Sequence, residues 1–167
     1  MPCGLVLYYS RSGNTKAMAE VLAEAMSQAG LTTDCKKVAD VQIEDLLNAD
    51  AIAVGTPTYY GQAAAPIADL FDRSVSKHGK LDGKIGAAFS SSANIGGGNE
   101  TAICDILHRM LIHGMIIQGD PKGDHYGPVS IGKPDERAFK ECARRGQRIA
   151  ALTLNLCGKG SDFRPGS

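Results

Sequence analysis

The stretch Ser10-Arg11-Ser12-Gly13-Asn14-Thr15 decides how this chain is read. It stands between an apolar run, Leu5-Val6-Leu7-Tyr8-Tyr9, and a helical pattern that begins near Lys16. A strand that leads through a loop of hydroxyls, one Gly and one Asn into a helix is suited to hold a phosphate. The first N–H groups of a helix have no internal partner and carry partial positive charge. The hydroxyls of Ser10, Ser12 and Thr15 add donors, and Gly13 lets the main chain approach a ligand closely. The loop lacks the Lys of a nucleoside-triphosphate loop. Neutral donors suit the phosphate of a cofactor that stays bound and is not cleaved.

Outward from this loop, strands and helices alternate. Residues 4–9 read as a buried strand. Residues 15–29 read as a helix, with Met18, Val21, Leu22, Ala25, Met26 and Ala29 on one face and Gly30 ending it. A polar strand at 32–38 and a short helix near 43–47 follow. Ala51 to Gly55 is a strand that is apolar throughout, as expected when both faces are covered. Residues 56–61 form a loop, 64–76 a helix, 85–89 a strand, 90–98 a Gly/Ser-rich loop and 99–112 a helix. Met115-Ile116-Ile117 is the fifth strand, 119–134 an irregular excursion, and a last helix starts at Asp135 or Glu136. Its inward positions are Phe139, Cys142, Ala143, Gly146, Ile149, Ala150 and Leu154. The expected organisation is one domain over 1–157 and a flexible tail at 158–167. Five alternations predict a doubly wound α/β fold with a parallel sheet. Ligands of such sheets bind beyond the C-terminal strand ends, where the winding reverses. For strand order 2-1-3-4-5, the loops after strands 1, 3 and 4 meet there. These are the loops richest in Gly, Ser, Thr and Tyr.

Composition narrows the function classes. Eighteen basic and eighteen acidic residues cancel over 167 residues, so no net field favours nucleic acid or an anionic membrane. No apolar run approaches the ~20 residues that span a bilayer, and Met1-Pro2-Cys3-Gly4 enters a strand without a signal-peptide pattern. The expected location is cytoplasmic. Cys3, Cys35, Cys104, Cys142 and Cys157 are scattered, without the CxxC spacing of a zinc site or the even count of a disulfide framework. Cys104, Cys142 and Cys157 fall on apolar helix faces and read as buried free thiols. Cys3 stands too far from Arg11, at the wrong end of the strand, to be a phosphatase nucleophile.

Four motifs, in order, carry a resemblance. They are Tyr9 to Thr15; Gly55-Thr56-Pro57-Thr58-Tyr59-Tyr60-Gly61; Phe89-Ser90-Ser91-Ser92 through Gly96-Gly97-Gly98-Asn99-Glu100-Thr101; and His113-Gly114-Met115-Ile116-Ile117. Over nearly its whole length the chain resembles the flavodoxin superfamily, nearest to its NAD(P)H:quinone oxidoreductase branch of the Trp repressor-binding type. The resemblance implies a flavodoxin-like three-layer sandwich with a five-stranded parallel sheet of order 2-1-3-4-5. Flavodoxins are themselves a standard example of the sheet-edge rule used above.

The resemblance also implies FMN. Ser10, Ser12, Gly13, Asn14 and Thr15 would hold its phosphate, with Arg11 turned either to it or to solvent. Pro57, Thr58, Tyr59, Tyr60 and Gly61 would edge the isoalloxazine ring. Ser90, Ser91, Ser92, Ala93, Asn94, Ile95, Gly96, Gly97 and Gly98 would surround its pyrimidine side. His113 has two readings: a last-turn residue on the helix dipole, or, by resemblance, a group that contacts flavin or quinone. Tyr126, in His125-Tyr126-Gly127-Pro128, matches a family Tyr-Gly near the same face. No metal is implied.

Two function classes share the fold. Carrier flavodoxins pass single electrons between protein partners; quinone reductases take a hydride from NAD(P)H and give two electrons to a small acceptor. A third class is an FMN reductase that serves an unknown partner. Carriers are strongly acidic, and an aromatic residue after their fourth strand covers one flavin face. This chain is neutral, and its Ser90–Gly98 loop has no aromatic. With the likeness at His113-Gly114-Met115 and Tyr126-Gly127, this favours the NAD(P)H:quinone reading, with a quinone as partner and a homo-oligomer (dimer or tetramer) as assembly. The segments 76–84 and 119–127 are shorter than in the quinone-reducing relatives.

Overall fold

The computed structural model describes residues 1–158. Gly158 is the last residue of the final helix, and the rest of the expected tail lies outside the described residues. The strands are β1 (Cys3–Tyr8), β2 (Thr32–Lys37), β3 (Ala51–Tyr59), β4 (Gln62–Ala63), β5 (Ile85–Ser92), β6 (Ile116–Ile117) and β7 (Val129–Ile131). The helices are α1 (Asn14–Gln28), α2 (Ile43–Asn48), α3 (Ala65–Ser74), α4 (Asn99–Ile112) and α5 (Glu136–Gly158). The sheet runs β2-β1-β3-β5-β6, every neighbour parallel. Leaving aside the small hairpin strand β4, this is the expected 2-1-3-4-5 order.

Both sheet faces are covered, and side-chain alternation shows how. Leu5, Leu7, Ile52 and Val54 point to one core with Ile67, Leu70, Ile103, Ile106 and Met110 of α3 and α4. Val6, Tyr8, Ala51 and Ala53 point to the other, with Met18, Leu22 and Met26 of α1 and Cys142 and Ile149 of α5. Successive strand residues face opposite sides, so an apolar run such as Leu5-Val6-Leu7 serves two cores at once.

The structure departs from the sequence expectations in three ways. First, β3 and β5 run past Gly55 and Phe89. Thr56 pairs with Ser90 and Pro57 with Ser91, so part of the hydroxyl-rich stretch read as loop is strand. Some of its hydroxyls pair across strands or with α1: Thr58 Oγ1 lies 2.9 Å from Ser90 Oγ, and Ser91 Oγ lies 2.9 Å from Thr15 Oγ1. Mutual hydrogen bonds offset the cost of burial. Second, the edge strand is split. Ile116 and Ile117 pair with Ile85 and Gly86 at the start of β5. Val129, Ser130 and Ile131 pair with Ser90, Ser91 and Ser92 at its end. Residues 118–128 bulge out between them. Third, Cys142 is fully buried and its thiol is pushed up to about 12 by that burial, but Cys104 is only half-buried and Cys157 is exposed. Cys157 falls in the last helical turn, where less of α5 is covered. All five cysteines are free.

Among the described residues, no helix is long and apolar enough to cross a membrane, and no group of three His, Cys, Asp or Glu could hold a metal ion.

Candidate functional site

The loops after β1, β3 and β5 converge at the C-terminal edge of the sheet. They enclose a cavity of about 390 Å³ lined by Arg11, Ser12, Asn14, Thr15, Pro57, Thr58, Tyr59, Ser91, Ser92, Ala93 and Gly132. The first ten of these are among the residues singled out from sequence. Gly132 is not. The only signal for it is the glycine that ends the short run Val129-Ser130-Ile131.

The β1–α1 loop is shaped for an anion. Gly13 is the N-cap, with φ of 92°, a left-handed conformation that a residue with a Cβ adopts only under strain. Its N–H donates to Ser10 Oγ at 3.1 Å. Among the described residues no side chain caps α1, and no acidic residue stands in its first turn. The helix therefore presents uncapped N–H groups and its positive dipole end to the cavity. Ser12 and Arg11 are exposed at the mouth, and Thr15 is buried beneath.

The other two loops touch each other. A Cβ built on Gly98 would stand 2.6 Å from Gly61 Cα, so glycine is what allows these backbones to meet. Thr101 Oγ1 spans the contact, 2.6 Å from Gly61 O and 2.9 Å from Gly98 O. Tyr59 packs edge-on to Tyr9, with centroids 6.4 Å apart. Tyr60 and Gly61 form a two-residue hairpin turn between β3 and β4, both with positive φ (51° and 75°). Tyr60 is the one non-glycine residue in that region among those described, and its side chain is wholly exposed. Ala93, Asn94, Ile95, Gly96 and Gly97 are exposed and form the opposite rim. Ser90 is buried under Thr58 and supports the wall without lining it.

FMN, the cofactor that the flavodoxin likeness implies, fits this donor set. An uncapped helix N-terminus flanked by hydroxyls suits a phosphate, and two touching glycine loops leave flat backbone beside a ring.

Two sequence-selected residues lie elsewhere. Tyr126 is on the same sheet edge, half-exposed in a small neighbouring depression with Glu100, Asp124, His125, Gly127 and Val129. His113 is at the opposite edge. It caps the C-terminus of α4, just before Met115 and the strand residues that pair with the start of β5. A fourteen-residue helix is about 21 Å long, and it carries His113 away from the cavity. His113 therefore does not line this cavity, and of its two readings the geometry within one chain is that of the helix-end residue. His113 is 6% exposed. Its Nε2 lies 2.8 Å from Ser74 Oγ, it packs against Phe71 and His78, and it lines a second cavity with them. Ser74 Oγ donates to Phe71 O at 2.7 Å, so Nε2–H donates to Ser74, and the buried Nδ1 has no partner among the described residues.

Burial, then the nearby His78, lowers the His113 pKa below its ordinary 6.5. The unfolded chain thus takes up this proton at a higher pH than the folded one. Stability is full above pH 6.5 and falls as pH drops below it toward the folded-state value. A thermal-unfolding series from about pH 7 to about pH 5 is expected to show a falling midpoint. His113→Gln is expected to flatten that fall; an unchanged slope would assign it to other groups.

Comparison with known proteins agrees with this geometry. The flavodoxin family matches residues 6–109. A protein named flavodoxin from Aquifex aeolicus is 43% identical over 155 residues, spanning 87% of this chain and 84% of its own length. A protein named NAD(P)H dehydrogenase (quinone) from Bradyrhizobium diazoefficiens is 38% identical over 154 residues, spanning 79% and 75%. The solved structure of a flavodoxin from the domain Archaea superposes with a TM-score of 0.75 at 34% identity, over 90% of this chain and 97% of that one. With the sheet order, the uncapped N-terminus of α1 and the paired glycine loops, this places the chain in the flavodoxin family.

Proposed function

We propose that this protein is an FMN-dependent oxidoreductase that moves two electrons from NAD(P)H to a quinone or a similar small acceptor. The observation that carries the reading is the open rim of the cavity. The loop after β5 offers only Ala93, Asn94, Ile95 and glycines, and the exposed Tyr60 sits in the turn whose Gly61 meets Gly98 of that loop. A flat ring held between Tyr59 and this loop keeps one face free for a nicotinamide or quinone to stack. The relatives named NAD(P)H dehydrogenase (quinone) support the same reading.

FMN, when bound, supplies hydride and two-electron chemistry. The protein's part is position. The first-turn N–H groups of α1, with Ser12, Asn14 and Thr15, would hold the phosphate. Thr58 and the 91–93 main chain would hold the polar edge of the ring, and Tyr59, braced by Tyr9, would pack against it. Tyr60 would cover the incoming acceptor, and Tyr126, on the same sheet edge, would donate a hydrogen bond to its oxygen. A homo-oligomer would cover Val75, Leu111 and Ile112, which are exposed at the far edge near His113.

The 43% identity to a protein named flavodoxin supports a second reading, a single-electron carrier between proteins. One experiment separates the two. The purified protein is loaded with FMN and mixed with NADH or NADPH, with and without benzoquinone. Bleaching by a coenzyme and recovery with benzoquinone support the enzyme. A yellow protein that neither coenzyme bleaches supports the carrier, and a chain that takes up no FMN removes both.

Tyr60 supplies a further prediction. A non-glycine residue at φ of 51° is strained, and Asn tolerates that region better. The Tyr60 ring buries nothing, so Tyr60→Asn is expected to stabilise the apoprotein by about 0.5–1 kcal/mol. The KM for benzoquinone is expected to rise severalfold. Loss of stability in urea titration would show that the ring is packed after all.

A further inference from the structure

β7 is an edge strand only three residues long, yet it leads directly into Gly132 and backs the stretch of β5 that lines the cavity. Its inner edge pairs with β5: Ser90 N–H donates to Pro128 O at 3.0 Å, and Gly132 N–H to Ser92 O at 2.7 Å. Ser91, Ser92 and Gly132 line the cavity. A strand at the short end of the usual range has few ladder bonds to hold it, and among the described residues no further strand pairs with its outer side.

Two side chains occupy that outer side. Asp124 Oδ2 accepts the Val129 N–H at 2.9 Å. Arg137, on α5, donates through Nη2 to Val129 O. Arg137 Nη1 also reaches both Asp124 oxygens at 3.0 Å. One ion pair thus supplies an acceptor to the N–H of Val129 and a donor to its C=O, as a neighbouring strand would.

Three more arginines of α5 secure the bulge that carries Asp124. Arg144 makes two 2.8 Å bonds to Asp120. Arg145, 4% exposed, donates to Gln118 O and Asp124 O. Arg148 donates to Gly119 O at 2.9 Å. An exposed ion pair by itself stabilises little, and Arg137 is half-exposed. Its weight comes from the two backbone groups that the pair engages.

We propose that Asp124 and Arg137 are a positioning pair for the cofactor site: they stand in for a missing strand beside β7 and so hold the Ser90–Ser92 and Gly132 wall in place. This rests on the FMN reading above. It adds that flavin affinity and ring environment depend on residues that touch no part of the ligand.

The test uses the full chain with FMN as the probe. Arg137→Gln removes both arms, Arg137→Lys keeps a single donor, and Asp124→Asn keeps an oxygen for the Val129 N–H but loses the charge. Three readouts are taken: FMN affinity by quenching of flavin fluorescence, the visible spectrum of the bound flavin, and amide exchange at Gly132 against the core amide of Ile52. Arg137→Gln is expected to weaken FMN about tenfold, to shift the bound spectrum, and to speed Gly132 exchange at least tenfold while Ile52 is unchanged. Arg137→Lys is expected to recover most of the affinity, and Asp124→Asn to fall between. In the double variant Arg137→Gln/Asp124→Asn, the loss should match that of Arg137→Gln alone, because the two residues act as one unit.

FMN affinity and Gly132 exchange at wild-type levels in folded Arg137→Gln would overturn the inference and leave the FMN reading intact. Equal acceleration at Gly132 and Ile52 would also overturn it, since the pair would then serve global stability only. A wild-type chain that binds no FMN removes the cofactor reading, and this inference with it. If Arg137→Gln does not fold, the same criteria apply to Asp124→Asn.

Discussion

Ser12→Asp is expected to lower FMN affinity about a hundredfold, measured by quenching of flavin fluorescence as the apoprotein is titrated. The variant would set a carboxylate beside the cofactor phosphate at the mouth of the β1–α1 loop, counted as one unit charge against one. Two like charges about 4 Å apart at an effective dielectric near 20 repel by ~4 kcal/mol. Ser12 is exposed, so water and salt screen part of this, and about 2.7 kcal/mol, a hundredfold, remains. Ser12→Ala loses one hydrogen-bonding group and is expected to cost tenfold or less, about 1 kcal/mol. The effect on the apoprotein should have the opposite sign. A new acid beside the uncapped N-terminus of α1 favours the helix dipole by about 0.3–1 kcal/mol. A more stable apoprotein that has lost FMN is a signature that unfolding cannot imitate. Unchanged affinity would mean that the phosphate is held elsewhere.

Gly146→Leu carries the largest expected loss of stability. A Cβ built on Gly146 would stand 2.5 Å from Leu22 O, 2.9 Å from Ala25 Cβ and 3.2 Å from Met26 N. At this point α5 lies directly on the backbone of α1. Helix propensity alone would favour replacing Gly by Ala, by about 1 kcal/mol. Overpacking against a backbone carbonyl, which cannot swing aside, costs about 1–3 kcal/mol. Gly146→Ala is therefore expected to be destabilising on balance, by ~1 kcal/mol. Gly146→Leu must drive the helices apart and is expected to lose about 3 kcal/mol or more, a large share of a typical domain's 5–15 kcal/mol. Equilibrium urea unfolding of the apoprotein measures both. A stabilised Gly146→Ala would show that the helices do not meet there. The same contact matters for the site, because α1 carries the phosphate loop at its other end.

Much of the site was legible because its signals are local. Ser10 to Thr15 lies within a few residues of the strand and helix that shape it, and ten of the eleven residues lining the cavity were named from sequence. Thr101 was visible in the third motif, but its bridge between Gly61 and Gly98 depends on two loops forty residues apart. Val129 to Ile131 gave no strand signal, since a three-residue run among glycines and prolines is too short to show alternation. Asp124 and Arg137, thirteen residues apart, belong to no motif.

His113 shows where resemblance and topology part. In a parallel sheet, a helix that leaves the C-terminal edge must return to the N-terminal edge before the next strand begins. The alternation of elements therefore already puts the end of α4 far from the loops after β1, β3 and β5. The likeness at His113-Gly114-Met115 carries no information on distance.

By itself the sequence determined the strand–loop–helix cradle of Ser10 to Thr15 and the αβ alternation of a parallel sheet, which follow from periodicity and turn chemistry within a few residues. The sheet order and the sheet edge expected to take a cofactor came from the resemblance carried by the four motifs. Only the tertiary structure decided that the serines and threonines past Gly55 and Phe89 lie in paired strand, that His113 is a buried partner of Ser74, and that an ion pair between Asp124 and Arg137 meets the outer side of a broken edge strand. The physical reason is common to all three. A hydroxyl, an imidazole or a guanidinium takes whichever partner the fold brings within about 3 Å, and those partners come from distant parts of the chain.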